Sequence, residues 1–400
     1  MLKRLATVLG GMVLALVAPS HVARADENGI KIGDGRLHPY FDLETRYDTV
    51  AQLDPNTGQG VPDLIWHFRP GLKLDVPSPT LSFNLSGAVE YLLYTGLNNS
   101  NAHLLDRLQA EGALDIGILR GSVVSFDIND HFNRSDQTTD VGLTFGVLSL
   151  YNDLGVTSTI APGGGSLTIT PGYHLTIENF SSLFNLTGGT GTTDPGTLNY
   201  LNHQIVLENR WRFLPKTAVL LDGEYDFRTY TNGVNTGIQY FKATTGVAGL
   251  ITPHISTIAR VGWGMDLTTH SFSSVIGQLE GSYLPNETSS IRLGVLRTFQ
   301  PVQAPFTTYE DDRGYLEGRV LLFERLTLHV FGSVDYLGFK GTQTRNDLVF
   351  SIDGGADLET FRWLIVSLGD SFITRSSDDH STSTLNYSGD QVYLRVTFIY

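Results

Sequence analysis

The chain has 400 residues, among them 43 glycines and no cysteine, and a formal net charge of −14; 41% of residues are hydrophobic and 17% charged. Without cysteine there are no disulfides and no thiol chemistry, and the acidic balance argues against a nucleic-acid partner. No apolar run is long enough to cross a bilayer as a mature helix, so a membrane span has to come from strands, which divide their hydrophobicity between two faces.

Residues 1–25 read as a secretory signal peptide. Lys3 and Arg4 precede an apolar core from Leu5 to Ala18, followed by Pro19 and the small-residue pattern Ala23-Arg24-Ala25. Cleavage after Ala25 predicts export through the Sec pathway and changes the formal charge to −17, with 24 basic residues against 41 acidic. Residues 26–35 then form a short N-terminal segment, and 36–400 a single barrel domain.

The stretch 36–49 sets the pattern. Leu37, Phe41, Leu43 and Tyr47 share one face, and His38, Asp42, Glu44, Arg46 and Asp48 the other. The next apolar faces are Leu64, Trp66, Phe68, Leu72, Leu74 and then Leu81, Phe83, Leu85, Val89, Tyr91, Leu93, joined by a proline turn at 76–79. Further strands are expected at 104–118, 122–129, 151–161, 167–178, 199–213, 216–230, 238–251, 254–268, 272–284, 287–299, 312–323, 325–339, 346–359, 362–375 and 385–400, about 18 in all. Short connections such as 214–215, 252–253, 284–286, 323–325 and 360–362 alternate with long polar ones at 131–150, 180–198, 300–311 and 376–384. The fold class is therefore all-β, a transmembrane antiparallel up-and-down β-barrel with both termini periplasmic, located in the Gram-negative outer membrane among its lipid and lipopolysaccharide.

The same alternation assigns a water-filled lumen. Asp42, Glu44, Arg46, Arg69, Glu208, Arg210, Asp222, Glu224, Arg228, Arg260, Arg292, Glu317 and Arg319 are expected to line the pore as ladders of opposite charge, and Tyr40, Tyr94, Tyr230, Tyr240, Tyr315 and Tyr393 also face inward. Trp211, Phe213, Tyr225, Phe227, Trp263, Tyr283 and Phe299 fall near strand ends, where aromatic girdles sit. The final strand alternates Val392, Leu394, Val396, Phe398 and Tyr400 outward and resembles the C-terminal signal by which outer-membrane proteins are handed to the barrel-assembly machinery.

Catalysis has one weak candidate, Asp378-Asp379-His380, with Asp266 and His270 on another strand end; no nucleophile and base are brought together by spacing. The eleven histidines show no paired metal spacing, and no cofactor is implied. The expectation is a non-enzymatic channel.

The short mature N-terminus, the proline-marked turns, the Pro162-Gly163-Gly164-Gly165 hairpin and the run from Phe213 to Tyr225 resemble the "β-barrel porin 2" type of outer-membrane protein. More narrowly, they are similar to the eighteen-stranded porins of flippase/polymerase-dependent polysaccharide pathways in myxobacteria. The resemblance implies export of a secreted or capsular polysaccharide, delivered by a separate periplasmic polysaccharide export protein that would dock on turns such as 214–216, 252–254 and 284–287. A general or substrate-specific diffusion porin would use the same barrel, with 131–150 or 180–198 as the loop that folds inward.

Overall fold

Alternation of apolar and polar residues buries neither face of an isolated strand, and a sheet of such strands is left with two unpaired edges unless it closes on itself. This chain closes. A computed structural model describes residues 29–53, 59–96, 107–136, 147–182, 195–231, 237–268, 272–302, 306–341, 343–379 and 386–400; the expected signal peptide, His270 and His380 lie outside the described residues.

The strands are β1 (Ile30–Ile32), β2 (Gly35–Leu53), β3 (Gly60–Val76), β4 (Leu81–Tyr94), β5 (Leu108–Ile118), β6 (Val124–Ser135), β7 (Val147–Ile160), β8 (Leu167–Ser182), β9 (Tyr200–Leu214), β10 (Thr217–Tyr230), β11 (Ile238–Thr252), β12 (Ile255–Asp266), β13 (Ser273–Asn286), β14 (Ser289–Pro301), β15 (Phe306–Leu322), β16 (Leu326–Gly341), β17 (Arg345–Phe361), β18 (Leu364–Ser377) and β19 (Tyr387–Ile399). β2 to β19 pair antiparallel with their neighbours in chain order, and β19 pairs back onto β2, from Gln391↔Asp48 to Ile399↔Tyr40. The result is the expected 18-stranded up-and-down barrel. β1 is an addition that alternation did not reveal: the segment expected to precede the barrel pairs Ile30 with Leu37 and Ile32 with Gly35.

The outer face is largely apolar. Leu221, Leu279, Leu293, Val261, Leu368 and Val392 are among many large side chains exposed on it, a surface that only hydrocarbon can cover. Aromatic residues band it near both rims. At the rim formed by the short turns, Phe361, Trp363 and Phe398 stack with centroids 5.4 and 6.2 Å apart. This is the fold of an outer-membrane β-barrel.

Two loop expectations are corrected. β6 runs to Ser135 and β7 begins at Val147, so both ends of 131–150 are strand and the connection is shorter than expected. There Asp130 and Arg134 stand on the outward face while His131 and Asn133 stand inward, and polarity on both faces hides the alternation. Likewise β14 and β15 occupy most of 300–311, where Pro301 and the acidic run Glu310-Asp311-Asp312 read as loop. At the opposite rim, Phe323 (φ 53°) and Glu324 (φ 59°) make a two-residue left-handed turn without glycine, closed by the Arg325 amide donating to the Leu322 carbonyl at 3.2 Å.

Candidate functional site: the charged lumen

Register places all thirteen expected lumen residues on the inner face. Asp42 lies opposite Arg69, Glu208 opposite Asp222, Arg292 opposite Glu317, and Arg319 opposite His329. Arg210 lies opposite Leu220 and Thr168, inward on β9.

The structure gathers these residues into separate networks. On β2, β3 and β19, the buried Glu44 carboxylate accepts from Arg46 Nε (2.8 Å) and Arg395 Nε (2.6 Å), with His67 3.9 Å away. His67 turns its Nδ1 to Glu90 at 2.6 Å, and Arg69 joins Asp42 (3.5 Å) to Glu111. On β10 to β12, Lys242 pairs with Glu224 at 2.7 Å and Arg260 approaches Asp222 at 3.8 Å, while Asn202 donates to Asp226 at 3.3 Å. On β13 to β16, Arg292 bridges Glu317 (3.2 Å) and Glu280 (3.6 Å), and Arg313 bridges Asp311 (3.1 Å) and Asp335. Arg228 sets its guanidinium 3.8 Å from the Tyr200 ring centroid. Sequence reasoning missed a further group at the loop end: Asp347, 0% exposed, accepts from Arg375 Nε at 3.0 Å and meets Arg345 Nε at 3.2 Å.

All six expected inward tyrosines face the lumen, but not alike. Tyr230 and Tyr240 are buried in an aromatic cluster with Phe180, Tyr200 and Phe299, so they cannot meet a solute there. Tyr40, Tyr315 and Tyr393 instead lie flat against Gly71, Gly294 and Gly369, their direct partners on the neighbouring strands. A Cβ at any of the three glycines would collide with the ring, so glycine there lets an aromatic side chain cover the wall without projecting into the lumen.

Phe299 is a correction. It was expected in the outer girdle, yet it is 0% exposed and packs edge-on against Tyr240 (5.4 Å) and Phe272 (5.1 Å), inside the barrel. β13 and β14 pair only as far as Gly277↔Arg297, and beyond that point β14 is free to leave the wall. The aromatics Phe299, Phe306 and Tyr309 flanking two prolines were the available signal.

Among the described catalytic candidates, the two aspartates with resolved partners bond to their own loop ends. Asp378 accepts from the Asn346 backbone and side-chain nitrogens, both at 2.8 Å, and Asp266 accepts from the Thr268 amide at 2.7 Å. Among the described residues no three His, Asp or Glu side chains gather as metal ligands.

No family model matches the chain, and no curated protein does. Solved structures similar in fold include OccAB3 of Acinetobacter baumannii (10% identity, 92% of this chain and 100% of that one, TM-score 0.48). The outer membrane protein OpdK of Pseudomonas aeruginosa matches at 12% identity over 91% of this chain and 98% of its own, TM-score 0.46. The siderophore receptor PirA of the same organism matches at 10% over 91% and 80%, TM-score 0.47. The likeness is one of barrel form alone.

Proposed function

We propose that this barrel is an outer-membrane channel that passes a secreted or capsular polysaccharide. The observation that carries the reading is the wall itself. Its Arg and Lys side chains are compensated by neighbouring carboxylates, and Tyr40, Tyr315 and Tyr393 are laid flat on glycines. Such a surface offers hydroxyl-matching hydrogen bonds and ring faces to a sugar chain while presenting little unpaired charge to trap it.

A separate periplasmic polysaccharide export protein would deliver the polymer. The short-turn rim supplies apolar tips for it, since Leu214, Ile251 and Phe323 are exposed there, Phe323 at 88%. On this reading the short turns and both termini face the periplasm. It also leaves the outward row Val392, Leu394, Val396, Phe398 and Tyr400 on β19 available to the barrel-assembly machinery before β19 closes on β2.

A diffusion porin is the second reading. It is favoured by the inward position of Phe299, which narrows one side of the mouth. The two part in an in-frame deletion strain assayed for surface polysaccharide by dye binding and sugar analysis, beside uptake of small hydrophilic solutes. Loss of polymer with normal uptake is the expected result, and normal polymer with slowed uptake overturns export in favour of the porin.

A further inference from the structure

The loop-end tip of the β14–β15 hairpin does not continue the barrel wall. Past the last β13–β14 pair, Ser274 of β13 donates its hydroxyl to Glu310 of β15 at 2.5 Å, across the place β14 would occupy. Phe299 of β14 has moved in over Gly264 of β12, with Lys242 of β11 5.1 Å from its ring centroid. From β11, the Tyr240 hydroxyl donates to the Thr307 carbonyl at 2.8 Å and lies 2.9 Å from Thr308 Oγ1. β11 and β15 are four strands apart, about 19 Å along the wall at the usual strand spacing, far beyond the reach of one side chain. The bond can form only because the tip leans across the lumen. On its other flank Phe306 packs on Phe339 at 5.1 Å, with Arg345 over both rings.

We propose that the β14–β15 tip is the constriction of this channel, held in place by the Tyr240 hydroxyl and the buried Phe299 ring. The inference rests on the channel reading but not on which solute passes. The wedge sets its apolar side chains on a buried cluster drawn from β7 to β11 and β13, and on Leu337 and Phe339 of β16, as a packed core does, while the arc of β2 to β5 keeps a charged lining. Among the described residues the passage is displaced toward that arc.

The test is unitary conductance of the purified full chain in planar lipid bilayers, comparing wild type with Tyr240→Phe and Phe299→Ala, each shown to be folded by heat-modifiable mobility. Freeing a layer about 10 Å thick from an 18-stranded lumen predicts a rise of about 1.5- to 2-fold for Phe299→Ala. Tyr240→Phe is expected to add fluctuation toward the same higher level. Equal conductance in all three proteins overturns the constriction and leaves the channel standing; silence in all three overturns both. Thr308→Cys gives an independent readout, because Thr308 is 0% exposed and the chain has no other thiol. Slow alkylation in the folded barrel is expected, and labelling as fast as in the denatured chain overturns the packed tip.

Discussion

Asp370 offers a test of the lipid face with an unusual sign, because replacing it should stabilise the barrel. It stands on the outer face of β18 in the row Leu364, Val366, Leu368, Asp370, Phe372, paired with Val392 on β19 and Gly354 on β17. Its place midway along β18 puts a carboxylate against hydrocarbon. Basic residues at the midplane cost about 2–4 kcal/mol and acidic ones less. Asp390 stands on the same face of β19, opposite Phe372, and a second acidic group nearby raises the cost. Asp370→Leu is therefore expected to raise unfolding free energy by about 1–2 kcal/mol, roughly a tenfold change in the folded-to-unfolded ratio. The assay is equilibrium guanidinium unfolding in phospholipid vesicles, followed by fluorescence of the four tryptophans, with Leu368→Asp as the converse that should destabilise. A neutral or destabilising Asp370→Leu would refute the reasoning, since it would mean the carboxylate is satisfied by something other than lipid.

Other expectations follow from the lumen and the rims. The chain carries net −14, so the open channel should favour cations, and an anion-selective reversal potential in a salt gradient would contradict this. Asp347→Ala leaves two arginines facing each other without their shared carboxylate and should cost about 3–5 kcal/mol in the same unfolding assay; a loss below 1 kcal/mol would show the cluster is hydrated. Replacing Phe323-Glu324 by Asn-Gly should stabilise by about 1–2 kcal/mol, because both residues occupy left-handed backbone. Beyond the loop end of β18, the two hydrogen bonds from Asn346 hold the Asp378 carboxyl below its ordinary range. A depressed folded value means the tie is complete above the unfolded value and lost as pH falls through the folded one, so protection of the Asn346 amide, taken against its intrinsic exchange rate at each pH, should fall in acid and lose that dependence in Asp378→Asn.

How far the fold was readable depends on whether polar residues kept to one face. Along β10 they do: Asp222, Glu224, Asp226 and Arg228 alternate with Leu221, Gly223, Tyr225 and Phe227, and strand, register and lumen assignment all follow from the sequence. Along the loop-end half of β6 they do not, because Asp130 faces outward, accepting from Asn152 at 3.0 Å, while His131 and Asn133 face in. A rule that expects apolar residues every second position ends the strand there. Phe299 fails differently. Its parity is that of the lipid face, and only the end of pairing at Gly277↔Arg297, a property of the neighbouring strand, turns it inward. Within the lumen, residue type gave the charge and pairing gave the networks, since Glu44 meets Arg395 across 351 residues of sequence. The Arg345–Asp347–Arg375 cluster and the glycines beneath Tyr40, Tyr315 and Tyr393 depend on such cross-strand neighbours and leave no trace in either strand alone.

The seam between β19 and β2 has a kinetic consequence. Every other pair in the barrel joins strands consecutive in the chain, whereas Tyr400 donates its amide to Pro39 and Asp390 its amide to Thr49, 341 residues away. Closing so long a loop is slow and entropically costly, so the hairpins can assemble into a curved sheet well before its two edges meet. Until then the long flank of β2 that β19 will cover is an open template for any other strand. β1 lies along the short remainder of that flank, from Gly35 to Leu37, just before the residues that β19 takes. It shortens the open edge from one end and leaves Tyr40 to Asp48 as the place where the last strand can zip shut.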